Sequence, residues 1–521
     1  MAAPRSEPRP VPHLGGGAEP TRVARRACVG RWLGPLAALA VYLLVPSGPG
    51  GLTQGGRATA AVGVLMAVWW VCEPLPLAVT SLLPVVLLPI TGALPLAETT
   101  TAYGNPLVFL FLGGFVLAMA MQRWGLHRRV ALITLRAVGT RPTRLVGGFM
   151  LASAGLSMWV SNTATTVMML PIGVSVLTLV GDRLDGGGDD GAGPADNGPP
   201  RDDPAPNLSV GLMLGIAYAA SIGSLATLIG TPPNTFLAGF LTQTYDFDLG
   251  FARWMRFALP ISLTFVVLAW LVLTRWLYRP EVDDIPGGAQ LLRDAVARLG
   301  PLSRGEANVL VVFVLMASGW IGRSALQDAF AGTALAGLDD AGIAIAGAIA
   351  LFALPVDARA GVFTMDWETA KQLPWGVLLL FGGGLALAAA VADNGVDAYI
   401  GGLIAELTRV PTVAMIGIVA ATILLLTELT SNTATTAALV PVVAGAAVAL
   451  GLDPTVLAIP AALAASCAFA LPVATPPNAI VFGSGRVTIP QMVRAGIVLN
   501  TIGTVLIVAF AHWWAPVVFG T

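Results

Sequence analysis

Apolar stretches about as long as a membrane crossing, divided by short polar or Gly/Pro-rich connections, run from about residue 33 to residue 515. A helical span needs roughly 20 apolar residues. On that measure the first half predicts helices at 33–49, 57–72, 77–92, 104–122 and 257–279. The second half predicts them at 306–325, 341–356, 375–393 and 493–515. Four further stretches, 143–181, 208–243, 411–450 and 454–484, are longer and carry polar or proline interruptions. The pattern predicts an all-α polytopic membrane protein.

Composition agrees with the pattern. The 521 residues are 56% hydrophobic and 11% charged, with a mean hydropathy of +0.79, where a soluble chain carries roughly 25% charged residues. Residues 1–32, rich in Arg, Pro and Gly, are expected as a disordered cytoplasmic tail. The apolar run after Arg31 leads to no small-residue cleavage site, so 33–49 reads as a retained first helix rather than a signal peptide. A net charge of −1 without a basic tract gives no reason to expect nucleic acid as a partner. Cys28, Cys72 and Cys467 are far apart and are expected as buried small hydrophobes, with neither a disulfide nor a metal-ligand spacing. The three histidines, His13, His127 and His512, offer no intramembrane proton relay.

Two motifs recur. Ser-Asn-Thr-Ala-Thr-Thr stands at Ser161–Thr166 and again at Ser431–Thr436, each copy five residues before a proline, Pro171 or Pro441. Thr-Pro-Pro-Asn stands at Thr231–Asn234 and at Thr475–Asn478. The first pair lies 270 positions apart, as do Phe111-Leu-Gly-Gly114 and Phe381-Gly-Gly-Gly384. The second pair is 244 apart, and residues 182–207, a Gly/Asp/Pro-rich stretch in the first half alone, supply the missing 26. The chain is a structural duplication: a first repeat at 57–279, a connector at 280–305 on the cytoplasmic side, and a second repeat at 306–515.

Charge sets the expected orientation. With the N-terminus cytoplasmic and 143–181 and 411–450 taken as re-entrant hairpins, 23 Lys and Arg fall inside and 5 outside, a strong positive-inside bias. Each repeat then has five crossings and one hairpin, and an odd number of crossings inverts one repeat against the other. About eleven transmembrane helices follow, with two hairpins, in a multi-pass protein of the cell (inner or plasma) membrane.

Polar side chains in mid-membrane need a reason, because lipid offers them no partner. Paired helix breakers in two halves mark a transport site at a repeat interface. Each Ser-Asn-Thr is read as a hairpin tip whose helix-start N–H groups face an anion. Asn162 and Asn432 supply amide donors, and Thr163 and Thr433 supply hydroxyls. Neither motif contains Arg or Lys. In Thr-Pro-Pro-Asn, two prolines break the helix and free carbonyls of the kind a hard cation such as Na+ takes. Gly230 before the first copy permits close backbone approach; Ala474 holds the place in the second.

Across residues 33–515 these motifs resemble the divalent-anion:sodium symporters, the sodium-dependent dicarboxylate transporter family. The resemblance implies an elevator-type transporter, a homodimer in the bilayer, a small dianionic substrate and Na+ as coupling ion, with no organic cofactor. It implies a first sodium site of Ser157, Ser161, Asn162 and Gly230. The second would use Thr427, Ser431, Asn432, Ala474 and Pro476. Substrate carboxylates would meet Asn162, Thr163, Asn432 and Thr433, with Thr231 and Thr475 nearby. Sodium-coupled import of succinate, malate or fumarate is the leading expectation. Sodium-independent di/tricarboxylate exchange, and transport of sulfate or another inorganic dianion, stay open. An enzyme is not expected, since no His/Cys/Asp cluster has suitable spacing. Glu428, beside Thr427, is either a proton-sensitive group or a hairpin-surface carboxylate paired with water.

Overall fold

A computed structural model describes residues 20–48, 51–184, 205–284, 287–333, 337–404 and 410–520. Among these residues, ten helices are long and apolar enough to cross a membrane by length and composition. The first is α1 (Pro20–Leu44), which lies against α2 (Gln54–Cys72). It begins well before residue 33, so residues 20–32 are helical and not part of a disordered tail. Pro20 fits a first helical turn, where its missing N–H is not needed; Ala and Arg after it are good helix formers. Cys28 on this helix is exposed and Cys72 half-buried; only Cys467 is buried, as expected of all three.

The short α3 (Leu83–Thr91) leads to α4 (Pro106–Arg123). Then come α5 (Pro142–Ser157) and α6 (Asn162–Leu184), joined by four residues that include Ser161. Most of the loop expected at 182–207 lies outside the described residues. The chain resumes in α7 (Pro206–Ser224), which is buried at every residue from Leu208 to Ser224 and forms the centre of the packing. It breaks before α8 (Pro232–Tyr245), which α9 (Phe251–Leu271) follows.

The second half repeats this order. It runs through α10 (Arg304–Ile321), α11 (Asp340–Ala353) and α12 (Trp375–Asp393). A helix–turn–helix of α13 (Thr412–Thr427) and α14 (Asn432–Ala449) follows. The broken pair α15 (Thr455–Ala465) and α16 (Pro476–Gly483) precedes α17 (Ile489–Trp513). The stretches 143–181 and 411–450 of the sequence reading each hold two helices separated by a four-residue tip.

Helices in lipid gain little from hydrophobic association and pack through small residues instead. A Cβ on Gly223 of α7 would come within 2.3 Å of the Ala154 carbonyl of α5. One on Gly113 of α4 would come within 2.5 Å of the Ala344 carbonyl of α11. Phe111 and Phe381, counterparts at the 270-residue offset, meet edge to face with ring centroids 5.2 Å apart.

Candidate functional site: a cavity between two hairpin tips and two helix breaks

The Ser-Asn-Thr motifs occupy the two tips because Asn162 and Asn432 each start the returning helix. Ser161 Oγ accepts from Ala164 N at 3.2 Å, and Asn162 Oδ1 accepts from Thr163 N at 2.9 Å. The threonine four positions after each Asn ties the first turn down in the same way. Thr166 Oγ donates to the Asn162 carbonyl and Thr436 Oγ to the Asn432 carbonyl, both at 2.8 Å.

The Thr-Pro-Pro-Asn motifs sit at the breaks. Thr231 and Thr475 precede α8 and α16, and the prolines take the first turn, where no N–H is required. The asparagines, which carried no role in the sequence reading, are fully buried and close the breaks. Asn234 Nδ2 lies 3.3, 3.1 and 2.9 Å from the Ser224, Leu225 and Thr227 carbonyls. Asn478 Nδ2 lies 3.2 and 3.0 Å from the Ala468 and Leu471 carbonyls. Ser224 and Ala468, like Thr227 and Leu471, are 244 positions apart, so the repeat extends to individual hydrogen bonds. These amides take up backbone carbonyls where α7 ends and in the turn that follows α15. The doubled asparagine was the available signal.

One cavity of about 1270 Å³ gathers most of the expected residues. Ser161, Asn162, Thr163, Gly230 and Thr231 line it from the first half, and Ser431, Asn432, Thr433, Ala474 and Pro476 from the second. Phe111, Phe115, Trp159 and Ile229 form an apolar wall. Exposed Glu73, Gln372 and Pro374 mark its mouth.

Three expected residues do not line the cavity. Ser157 is buried, and its Oγ has no hydrogen-bond partner. Thr427 is also buried; its Oγ lies 2.7 Å from Asn432 Oδ1 and 2.9 Å from the Ala465 carbonyl. Thr475 is buried and accepts from Asn478 N at 3.4 Å as the cap of α16. A buried hydroxyl left without a partner is costly in an apolar interior, and the Ser157 oxygen is of the kind an oxygen-seeking cation takes. Gly230 earns its place sterically, since a Cβ there would lie 2.3 Å from the Ser224 carbonyl.

Glu428 is not a hairpin-surface carboxylate: it is only 6% exposed and is bonded to protein groups. Its carboxylate accepts from Phe469 N and Ala470 N at 2.9 Å, Leu471 N at 3.0 Å and Asn500 Nδ2 at 2.6 Å. It thereby fixes the break between α15 and α16.

Polar tips, broken helices and a shared cavity within apolar spans define a polytopic membrane transporter rather than an enzyme. The chain belongs to the family described as the sodium:sulfate symporter transmembrane region, whose model matches residues 28–520. It is 38% identical to a sodium-dependent dicarboxylate transporter, SdcS, of Staphylococcus saprophyticus over 94% of this chain and 92% of that one. The SdcS protein of Staphylococcus aureus strain USA300 matches at the same identity and coverage. In fold it is similar to the Alcanivorax borkumensis YdaH transporter, with a TM-score of 0.57 and 14% identity over 94% of this chain and 98% of that one. Neisseria gonorrhoeae MtrF gives a TM-score of 0.50 and 12% identity over 80% and 83%.

Proposed function

We propose that this protein is a secondary active transporter that imports C4-dicarboxylates by sodium symport. The carrying observation is the single cavity in which both Ser-Asn-Thr tips and both Thr-Pro-Pro breaks converge. Asn162, Thr163, Asn432 and Thr433 hold the two carboxylates, with Thr231 on the wall. Ser157, Ser161, Asn162 and Gly230 hold one sodium ion; Thr427, Ser431, Asn432, Ala474 and Pro476 hold a second. The orphaned Ser157 hydroxyl supports the first of these. The names of the SdcS relatives support both sodium and a dicarboxylate.

The two repeats are inverted and their tips approach from opposite faces. Two contacts support this. Trp270, near the end of α9, donates to the Thr143 carbonyl at the start of the first hairpin at 2.9 Å. Gly445 in the second hairpin packs against Asp397, beside Asn394, which donates to the Ala93 carbonyl near the end of α3. The hairpins and broken helices then move as one body against a scaffold, carrying the site between the faces.

The test is uptake of labelled succinate by purified protein in liposomes, with potassium replacing sodium. Uptake should require sodium. Equal uptake in potassium would establish exchange or another coupling instead. A panel of malate, fumarate, citrate and sulfate reads the substrate class. Asn162→Ala or Asn432→Ala should lower uptake at least about tenfold, the loss expected when charged hydrogen bonds worth about 1.5–3 kcal/mol disappear.

A further inference from the structure

We infer that Arg26 is the charge-selecting residue of the cavity mouth, where it meets the dianion passing between the site and the face on which α1 begins and prefers two negative charges to one. This rests on the transport reading above. Among the described residues lining the cavity, Arg26 and Glu73 alone carry charge. The tips bring only neutral amides and hydroxyls to a substrate that carries two charges, and Glu73 opposes it.

The guanidinium of Arg26, on α1, bridges the end of α2 and the second tip. Its Nη1 donates to the Leu429 carbonyl at 3.1 Å, two residues before Ser431, and its Nη2 donates to the Val71 carbonyl. Both acceptors are neutral, and no described carboxylate forms an ion pair with it. Carbonyls satisfy its donors without cancelling its charge. A carboxylate offers a guanidinium two parallel charge-assisted bonds, stronger than those to a neutral carbonyl. A substrate carboxylate at the mouth can therefore displace the Leu429 carbonyl, which couples passage of the anion to release of the second tip. Lys would keep the charge but lose the fork.

The experiment compares succinate with its monomethyl ester, added on the face of the liposome where α1 begins. Arg26→Gln should raise the KM for succinate roughly three- to fivefold, as for an exposed charge pair, with kcat nearly unchanged. The monoester should change by less than about twofold, and Arg26→Lys should recover part of the loss. An unchanged succinate KM in a folded Arg26→Gln protein, checked by its melting curve, overturns the inference alone. So does an equal loss for both substrates through kcat, which marks a packing role. Absence of sodium-dependent succinate uptake in the unmutated protein would remove the transport reading and this inference together.

Discussion

Four donors close on the Glu428 carboxylate, three of them consecutive backbone N–H groups at Phe469, Ala470 and Leu471 and the fourth the Asn500 amide. A charge without a counter-cation persists in an apolar interior only when its lone pairs are satisfied in this way. Met158 holds the corresponding place in the first half, 270 positions earlier, so this anchor belongs to the second broken helix alone. Glu428→Gln replaces an accepting oxygen with an NH2 group facing other donors. The expected cost is about 1–3 kcal/mol, read as a lower melting temperature in detergent together with weakened sodium-dependent uptake. A variant melting with the unmutated protein would show that the carboxylate does not hold the break. The sequence displays Glu428 as a carboxylate in an apolar run, but its partners lie 41 to 72 residues away. Nothing local announces them.

At the scale of elements, the hairpins and broken helices were the legible part, because helix breakers repeated in register leave a visible pattern. The four-residue tips fall where Ser-Asn-Thr predicts and the breaks where Thr-Pro-Pro predicts. Less visible was the closing of each break by its own asparagine, since a buried amide and a solvent-facing one look alike in sequence. The start of α1 at Pro20 was hidden by an Arg-rich composition that suits a tail as well as a helix end. The two breaks also differ where the motifs align, with Gly230 in one and Ala474 in the other. A Cβ at 230 meets the Ser224 carbonyl at 2.3 Å, so the backbone has to shift. Gly230→Ala should therefore raise the sodium concentration for half-maximal uptake by at least about threefold, a loss near 0.7 kcal/mol at 1.4 kcal/mol per tenfold. Ala474→Gly should leave it nearly unchanged. Equal sodium activation in Gly230→Ala would remove this backbone segment from the cation site.

For the whole molecule, the contact between Phe111 and Phe381 has a geometric meaning. A residue that touches its own counterpart lies close to the axis relating two copies, and Phe111 also lines the cavity. The offset of 270 was readable in the sequence; that it marks an axis beside the site was not, because no linear pattern states which equivalent residues meet. An axis at the cavity supports two halves that alternate in exposing one site, as inverted transporter repeats do. The orientation of that axis in the membrane rests on the 23 to 5 distribution of Lys and Arg, and it can be measured. In a Cys28→Ser, Cys72→Ser background, with buried Cys467 left in place, single cysteines at exposed Asp284 and Ser324 report the two faces. A membrane-impermeant maleimide applied to intact cells should label Ser324→Cys and spare Asp284→Cys until the membrane is permeabilised. The reverse pattern would turn the molecule over, placing the Arg26 mouth outside and making it the entrance for substrate rather than the exit. Labelling at both positions would mean that the positive-inside bias does not set this protein's topology.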